Sequence, residues 1–246
     1  MKYVLLLLFC ALVFLVCFLV DKLLQKLFPK HELEKSKSVV RPPQKSATFG
    51  VLLVIIPLMA LLFWLSAVTL EKKSRYDEVF RPMRSDFVCN TIGAIGLGAG
   101  CVLSMQAGGT FVRLIGLLGL VSALALLLGG VFRMKRGVPS AACYVPAILY
   151  YVCKLFYDFR RWMHDPAILD YCFCLFALIC FMIATYHAAS FSFDHGGRRR
   201  LCFYSLCGVF FGATAMAGQD LSGLLIYGAS ACMCLAYAMQ ALGSGK

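Results

Sequence analysis

Charged side chains are scarce in this sequence. Asp, Glu, Lys and Arg make up 15% of its 246 residues, against about 25% in soluble proteins, while 61% of the residues are hydrophobic. This composition excludes an ordinary soluble domain and predicts an integral membrane protein. The alternation of apolar and polar residues that a membrane strand needs is also absent, so the membrane spans are expected to be helices.

Long apolar runs set the predicted architecture. A helix needs about 20 apolar residues to cross the hydrocarbon core, and eight runs approach or reach that length. The fold class is therefore predicted as all-α, a polytopic transmembrane helical bundle of about eight spans: 3–20, 48–70, 87–106, 111–132, 141–159, 167–191, 201–217 and 221–242. The count falls to seven if residues 48–70, which contain Pro57, do not cross.

Polar segments divide the chain into three predicted regions. Residues 1–28 form an N-terminal membrane anchor helix, residues 29–47 a basic polar linker, and residues 48–246 a multi-span helical body. Asp86 and Asp220 stand just before two of the apolar runs and are predicted N-caps. Lys and Arg divide almost equally between the two predicted sides of the membrane, so the positive-inside rule assigns no orientation. The expected location is a cell membrane.

The sequence also lacks the signatures of metal and cofactor sites. Thirteen cysteines are present, but none form a CxxC pair, and nearly all fall inside apolar runs. The two CxC pairs, at 172/174 and 232/234, point about 200° apart on a helix and cannot share a metal ion. The cysteines are interpreted as small apolar core residues, and neither a metal nor a cofactor is predicted.

Motifs of known membrane enzymes are missing as well, including HExxH and a GxSxG nucleophile with a partner histidine inside a span. The stretch GAIGLGAG at residues 93–100 does not have the GxGxxG spacing of a dinucleotide loop. Its small residues recur every four positions and predict a helix-packing stripe of Gly96, Gly100 and Ser104. Gly116 and Gly119 on the next run are the expected complementary surface.

Basic residues outnumber acidic ones 24 to 12, which gives a net charge of +12. Because the cations lie in short connections rather than in a stripe with exposed aromatics, nucleic acid is not an expected partner. The lipid bilayer and its anionic headgroups are the expected partners, and Arg198, Arg199 and Arg200 are candidates for contact with an anion or headgroup. The small-residue faces also suggest a membrane-protein partner or a homo-oligomer.

The most concentrated group of ionisable residues lies near residues 150–171. If all eight runs cross, the ends of runs three, five and seven meet the starts of runs four, six and eight at one membrane face. A candidate polar cleft would then contain Arg113, Lys154, Asp158, Asp170 and Asp220. Ordinary boundary chemistry is the competing interpretation, with helix caps, an aromatic belt and a Lys154–Asp158 pair four residues apart.

Three functions remain open from the sequence alone. The leading hypothesis is a transporter-like protein or accessory membrane subunit that is not a hydrolytic enzyme and has a polar cleft near one membrane face. The first alternative is a membrane-embedded enzyme that acts on a lipid or isoprenoid headgroup. The second is a structural or assembly protein without a small-molecule site.

Overall fold

The structure is a computed structural model that describes residues 45–70, 76–80, 84–107, 109–135, 141–162, 171–193, 196–217 and 219–243. Within these residues the chain is helical and contains no strand, so the predicted all-α class is confirmed there. The chain divides into two compact units, Met1–Leu65 and Ser66–Lys246. The predicted anchor, and the predicted linker up to residue 44, lie outside the described residues.

Eight α-helices follow one another along the described chain, with short 3₁₀ segments at Ala141–Cys143 and Phe191–Phe193. Their bounds are α1 Lys45–Val68, α2 Tyr76–Val79, α3 Arg84–Ala107, α4 Thr110–Met134, α5 Val145–Trp162, α6 Cys172–Ser190, α7 Arg198–Ala215 and α8 Leu221–Gly243. In the first unit, α1 begins at Lys45, inside the segment interpreted as a linker, and contains Pro57.

Among the described residues, four helical segments are long and apolar enough to cross a membrane: Arg84–Gln106, Thr110–Met134, Cys172–Phe193 and Leu221–Gly243. These correspond to α3, α4, α6 with its 3₁₀ extension, and α8. Helices α5 and α7 have 18 residues each but carry four and three charged side chains. Within the described residues, length and composition therefore support four of the predicted spans, and the count of about eight is not confirmed. The first predicted span, residues 3–20, lies outside the described residues.

The outward face of α4 is continuously apolar. Its large exposed side chains recur at intervals of three or four residues, which places them on one side of the helix: Phe111, Leu114, Leu117, Val121, Leu124 and Leu128. An apolar stripe of this length would be costly in water, whereas it suits contact with lipid chains. The side chains themselves thus support the membrane assignment for α4.

Helix α3 packs closely against α8 through its glycines. A Cβ atom built on Gly96 would lie 3.1 Å from Ala229 Cβ, and one on Gly100 would lie 2.8 Å from Ile226 Cγ1. The contacts move toward lower numbers on α8 as they move toward higher numbers on α3, so the two helices are antiparallel. Ser104, half-buried, donates a hydrogen bond to Cys101 O of its own helix at 2.8 Å.

The partner of this stripe differs from the expected one. Gly116 and Gly119 of α4 do face α3, but they meet Met105 and Cys101 rather than Gly96 and Gly100. Helix α3 therefore uses two different faces, because residues that recur every four positions follow only one side of a helix. Its glycine stripe packs on α8, far along the chain, and its Cys101 side packs on α4.

Candidate functional site: two ionic clusters and the residues between them

Buried tyrosines are the most distinctive feature of the interior. The five largest fully buried side chains in the described residues are all tyrosines: Tyr144, Tyr150, Tyr151, Tyr227 and Tyr237. A phenol hydroxyl is costly to bury without a polar partner, so a membrane protein built only for packing would favour Phe or Leu at such positions. Three of the five lie at or near α5 and two on α8, and they indicate a polar interior between these helices.

The first ionic cluster lies in the second half of α5. Lys154 Nζ is 3.0 Å from Asp158 Oδ2, and both side chains are largely buried. The Lys154 ammonium also stands 5.9 Å from the centre of the Tyr227 ring on α8. Tyr227 interacts in turn with Asp158 and with Cys174 of α6. Helices α5, α6 and α8 thus enclose one ion pair, called here the Lys154 cluster.

Asp220 lies at the edge of this cluster, within electrostatic range of Lys154. Its carboxylate caps α8, accepting hydrogen bonds from Gly223 N at 3.0 Å and from Ser222 Oγ at 2.8 Å. These hydrogen bonds are the main reason that the pKa of Asp220 lies below its ordinary value. The N-cap predicted for Asp220 is therefore present, with Asp220 itself exposed to solvent.

Arg113 and Asp170 complete the residues predicted for the cleft. Arg113 is exposed on the first turn of α4, next to the end of α5, since Phe111 stacks on Tyr157 with ring centroids 5.8 Å apart. Asp170 lies outside the described residues. The structure thus pairs Lys154 with Asp158, places the exposed Asp220 within electrostatic range of Lys154, and leaves Arg113 facing outward.

A second ionic cluster, which the sequence analysis missed, lies at the other end of α3, α4 and α8. Arg133 is buried near the end of α4. Its Nη2 donates a hydrogen bond to Asn90 Oδ1 at 2.9 Å, and its Nη1 is 3.9 Å from Asp86 Oδ2. The Asn90 amide donates in turn to Leu126 O at 3.1 Å. We call this group the Arg133 cluster.

Aromatic rings surround the Arg133 guanidinium. Its central carbon lies 5.8 Å from the centre of the Phe80 ring and 5.6 Å from that of Tyr237. Away from water, each such cation–π contact is worth about 2 kcal/mol. A Cβ atom built on Gly130 would lie 2.5 Å from Asn90 Nδ2, so only glycine lets Asn90 approach α4. The surroundings are arranged to hold one buried cation.

The position of Asp86 corrects one prediction. Asp86 was predicted as an N-cap just outside the helix, but α3 begins at Arg84, so Asp86 lies in the first turn. The side chain is buried and pairs with Arg133 instead of capping. Asp86 and Asn90 are four residues apart on one helical face, and a polar pair of that spacing in an apolar run is the signal from which the cluster could have been found.

Buried polar side chains lie along α5 and α8 between the two clusters. Tyr151 Oη donates a hydrogen bond to Ser230 Oγ at 2.9 Å, about one turn from Lys154 on α5 and from Tyr227 on α8. Toward one end Lys154 lies over Tyr227, and toward the other Tyr144 lies within electrostatic range of Tyr237. The numbers on α8 fall as those at α5 rise, so the pairs succeed one another along antiparallel helices. The α5–α8 seam consists of these three pairs: Tyr144 with Tyr237, Tyr151 with Ser230, and Lys154 with Tyr227.

The three arginines at the start of α7 go to different surroundings. Arg198 is buried and its Nε donates to Ala241 O, in the last turn of α8, at 2.7 Å. Arg199 Nε donates to Leu70 O at 2.5 Å, and Arg200 is exposed. Consecutive helical residues point about 100° apart, so the structure does not gather the three guanidinium groups into one anion site.

Two other features of the described residues bear on ligand binding. In the described residues, no three His, Cys, Asp or Glu side chains lie close enough together to hold a metal ion. A cavity of about 320 Å³ opens between α5 and α6, next to the Lys154 cluster, and its lining is entirely apolar apart from Cys172. Polar chemistry is thus concentrated in the two clusters and the seam between them.

These features define a class: an integral membrane protein made of helices, with apolar side chains facing outward and ion pairs held inside. The chain matches no protein-family model, no curated protein and no solved structure. A more specific function therefore has to be argued from the geometry of its own residues.

Proposed function

We propose that this protein is a multi-pass, transporter-like membrane protein that moves protons, or a small solute together with protons, along the α5–α8 seam. The observation that carries the proposal is the seam itself, a line of buried hydroxyl and ionic groups between two ion-pair clusters at opposite ends of α8. Ionisable groups inside a membrane are costly to maintain, and they commonly mark ion and proton pathways.

The proposed protein crosses the membrane more often than the four apolar segments in α3, α4, α6 and α8 alone would require. Three of the four charges of α5 lie in its last third, and the fourth, Lys154, is paired with Asp158. The charges of α7 lie in its first turn, so the rest of each helix is uncharged. Eighteen residues rise about 27 Å, close to the roughly 30 Å of the hydrocarbon core. We therefore propose that α5 and α7 cross as well, with their charged turns near the headgroups.

Chemically, the seam offers groups that exchange protons through hydrogen bonds. A tyrosine or serine hydroxyl both donates and accepts, so the Tyr151–Ser230 hydrogen bond is a point in the seam where a proton can pass between α5 and α8. Asp158 can take up a proton at one end, where Lys154 and Tyr227 adjoin it. Asp158 is thus proposed as the proton-accepting group and Tyr151 as the relay.

Proton flux into liposomes tests the proposal directly. The full chain is reconstituted with a trapped pH-sensitive dye, and a potassium gradient with valinomycin drives proton entry. We expect faster acidification than in protein-free liposomes. We also expect Asp158→Asn and Tyr151→Phe each to slow it by about tenfold or more, the factor that about 1.4 kcal/mol of added barrier gives.

Tyr186→Phe is the matched control, because Tyr186 on α6 is 58% exposed and lies away from the seam. The control should conduct like the unmodified protein. Proton entry no faster than in empty liposomes would overturn the proposed function. Equal rates for Tyr151→Phe and Tyr186→Phe, with folding unchanged in both, would remove the seam as the pathway.

A further inference from the structure

The face between α5 and α6 combines an apolar groove with exposed cations at its end. The cavity of about 320 Å³ there is lined by Phe156 and Phe159 from α5 and by Leu175, Phe176 and Ile179 from α6, among others. Phe156 is 69% exposed, so the groove opens outward rather than into the protein. In a membrane protein, an open apolar groove of this kind faces lipid.

Basic side chains continue the groove toward the end of α5. Arg160 follows Phe156 by four residues and therefore lies one turn farther along the same face of the helix. Arg160 and its neighbour Arg161 are both exposed. Guanidinium groups bind phosphate oxygens through paired hydrogen bonds, which favours a phosphate over other polar headgroup atoms at this position.

An aromatic pair marks the level of the membrane surface beside these arginines. The rings of Trp162 and Tyr171 stack with centroids 4.4 Å apart and an interplanar angle of 7°. Trp and Tyr are enriched where the hydrocarbon core meets the headgroups, because their rings are both apolar and polar. The groove thus lies where an acyl chain of a phospholipid would be, and the arginines lie where its phosphate would be. The aromatic pair lies at the membrane interface beside them.

We propose that this face is a binding site for an anionic phospholipid. One acyl chain lies in the groove between α5 and α6, and the phosphate is bound by Arg160 and Arg161 beside the Trp162–Tyr171 pair. The site lies outside the seam and does not depend on the proposed proton pathway. The site should prefer an anionic lipid to a zwitterionic one with the same acyl chains, because the zwitterionic headgroup interacts more weakly with the two arginines.

Tryptophan quenching tests the site with the protein's own reporter. The chain has two tryptophans, Trp64 and Trp162, so Trp64→Phe leaves Trp162 as the only one. This variant is reconstituted into phosphatidylcholine vesicles that contain either brominated phosphatidylglycerol or brominated phosphatidylcholine. A basic residue near the surface contributes about 1 kcal/mol toward an anionic lipid, so we expect about fivefold or greater preference for the brominated phosphatidylglycerol.

Two variants separate the site from general surface charge. In the double variant Arg160→Gln with Arg161→Gln, the ratio of quenching by brominated phosphatidylglycerol to quenching by brominated phosphatidylcholine should fall close to one. Arg113→Gln, at another exposed arginine near the end of α5, should leave this ratio unchanged. Equal quenching by the two lipids would overturn the proposal. So would an equal loss of preference in Arg113→Gln, which would indicate unselective attraction of anionic lipid.

The groove is tested separately from the arginines. Ile179→Phe enlarges a lining side chain and should weaken quenching by both brominated lipids, if the chains occupy the groove. Unchanged quenching in a folded Ile179→Phe protein would show that lipid contacts the arginines without entering the groove, and the site as proposed would fail. If Trp64→Phe does not fold, the difference in quenching between the unmodified protein and Trp162→Phe reports the same site.

Discussion

The contact between α3 and α8 makes a sharp prediction, because two glycines only two residues apart meet different surroundings. A Cβ atom on Gly100 would lie 2.8 Å from Ile226 Cγ1 and 3.1 Å from Ile226 N, a backbone atom that cannot turn aside. A Cβ atom on Gly98 would lie 3.7 Å from Ala123 and 3.8 Å from Leu120, which is ordinary contact. Gly98→Ala is therefore a matched control for Gly100→Ala.

The expected magnitude follows from two effects. Each substitution gains the same intrinsic helix preference of Ala over Gly, about 0.8–1.0 kcal/mol in soluble hosts, so this gain cancels when the two variants are compared. Overpacking typically costs about 1–3 kcal/mol, and it applies only at Gly100. We expect Gly100→Ala to be less stable than Gly98→Ala by about 1–3 kcal/mol, with Gly96→Ala between them.

Equilibrium unfolding of the full chain measures this difference. The three variants are titrated with sodium dodecyl sulfate in mixed micelles, and the fraction of helix gives the free energy of unfolding. Equal stability of Gly100→Ala and Gly98→Ala would refute close packing of α3 on α8 at Gly100. A more stable Gly100→Ala would refute it as well, since the added methyl would then stabilise a contact that the packing predicts to be overfilled.

The same unfolding assay tests three further residues. Arg133→Met leaves Asp86 buried without its cation and should lower the free energy of unfolding by about 3–5 kcal/mol. Adding Asp86→Leu should restore part of that loss, whereas Arg113→Met, at an exposed site, should change the stability little. Asp220→Ala should lose about 1 kcal/mol at neutral pH, whereas Asp220→Asn keeps a capping oxygen. Because the pKa of Asp220 is lowered by folding, its contribution is present above about pH 4 and is lost as the pH falls through the native pKa, a loss that Asp220→Asn should not show. Tyr151→Phe should destabilise by about 1 kcal/mol through its lost hydrogen bond, and no loss would contradict the contact.

Much of the helical architecture could be predicted because it depends on local pattern. The apolar runs and their punctuation indicate helices at α3, α4, α6 and α8, where the structure has them. Which helix meets which face cannot be read from such patterns. The small-residue stripe at Gly96 and Gly100 shows that some helix approaches closely, but both α4 and α8 offer small residues, and the choice depends on how the whole chain packs.

The two ionic clusters differ in how visible they are in the sequence, and the reason is distance along the chain. Lys154 and Asp158 are four residues apart, so the helical period alone predicts their contact. Arg133 binds Asn90 from 43 positions away, and each looks unremarkable in its own helix. The Arg133 cluster depends on tertiary packing, because the guanidinium lies against the rings of Phe80 and Tyr237 and pairs with side chains of α3. The α5–α8 seam thus leads from the Lys154–Asp158 pair, which the helical period of α5 predicts, to Arg133, whose contacts form only when α3, α4 and α8 pack together.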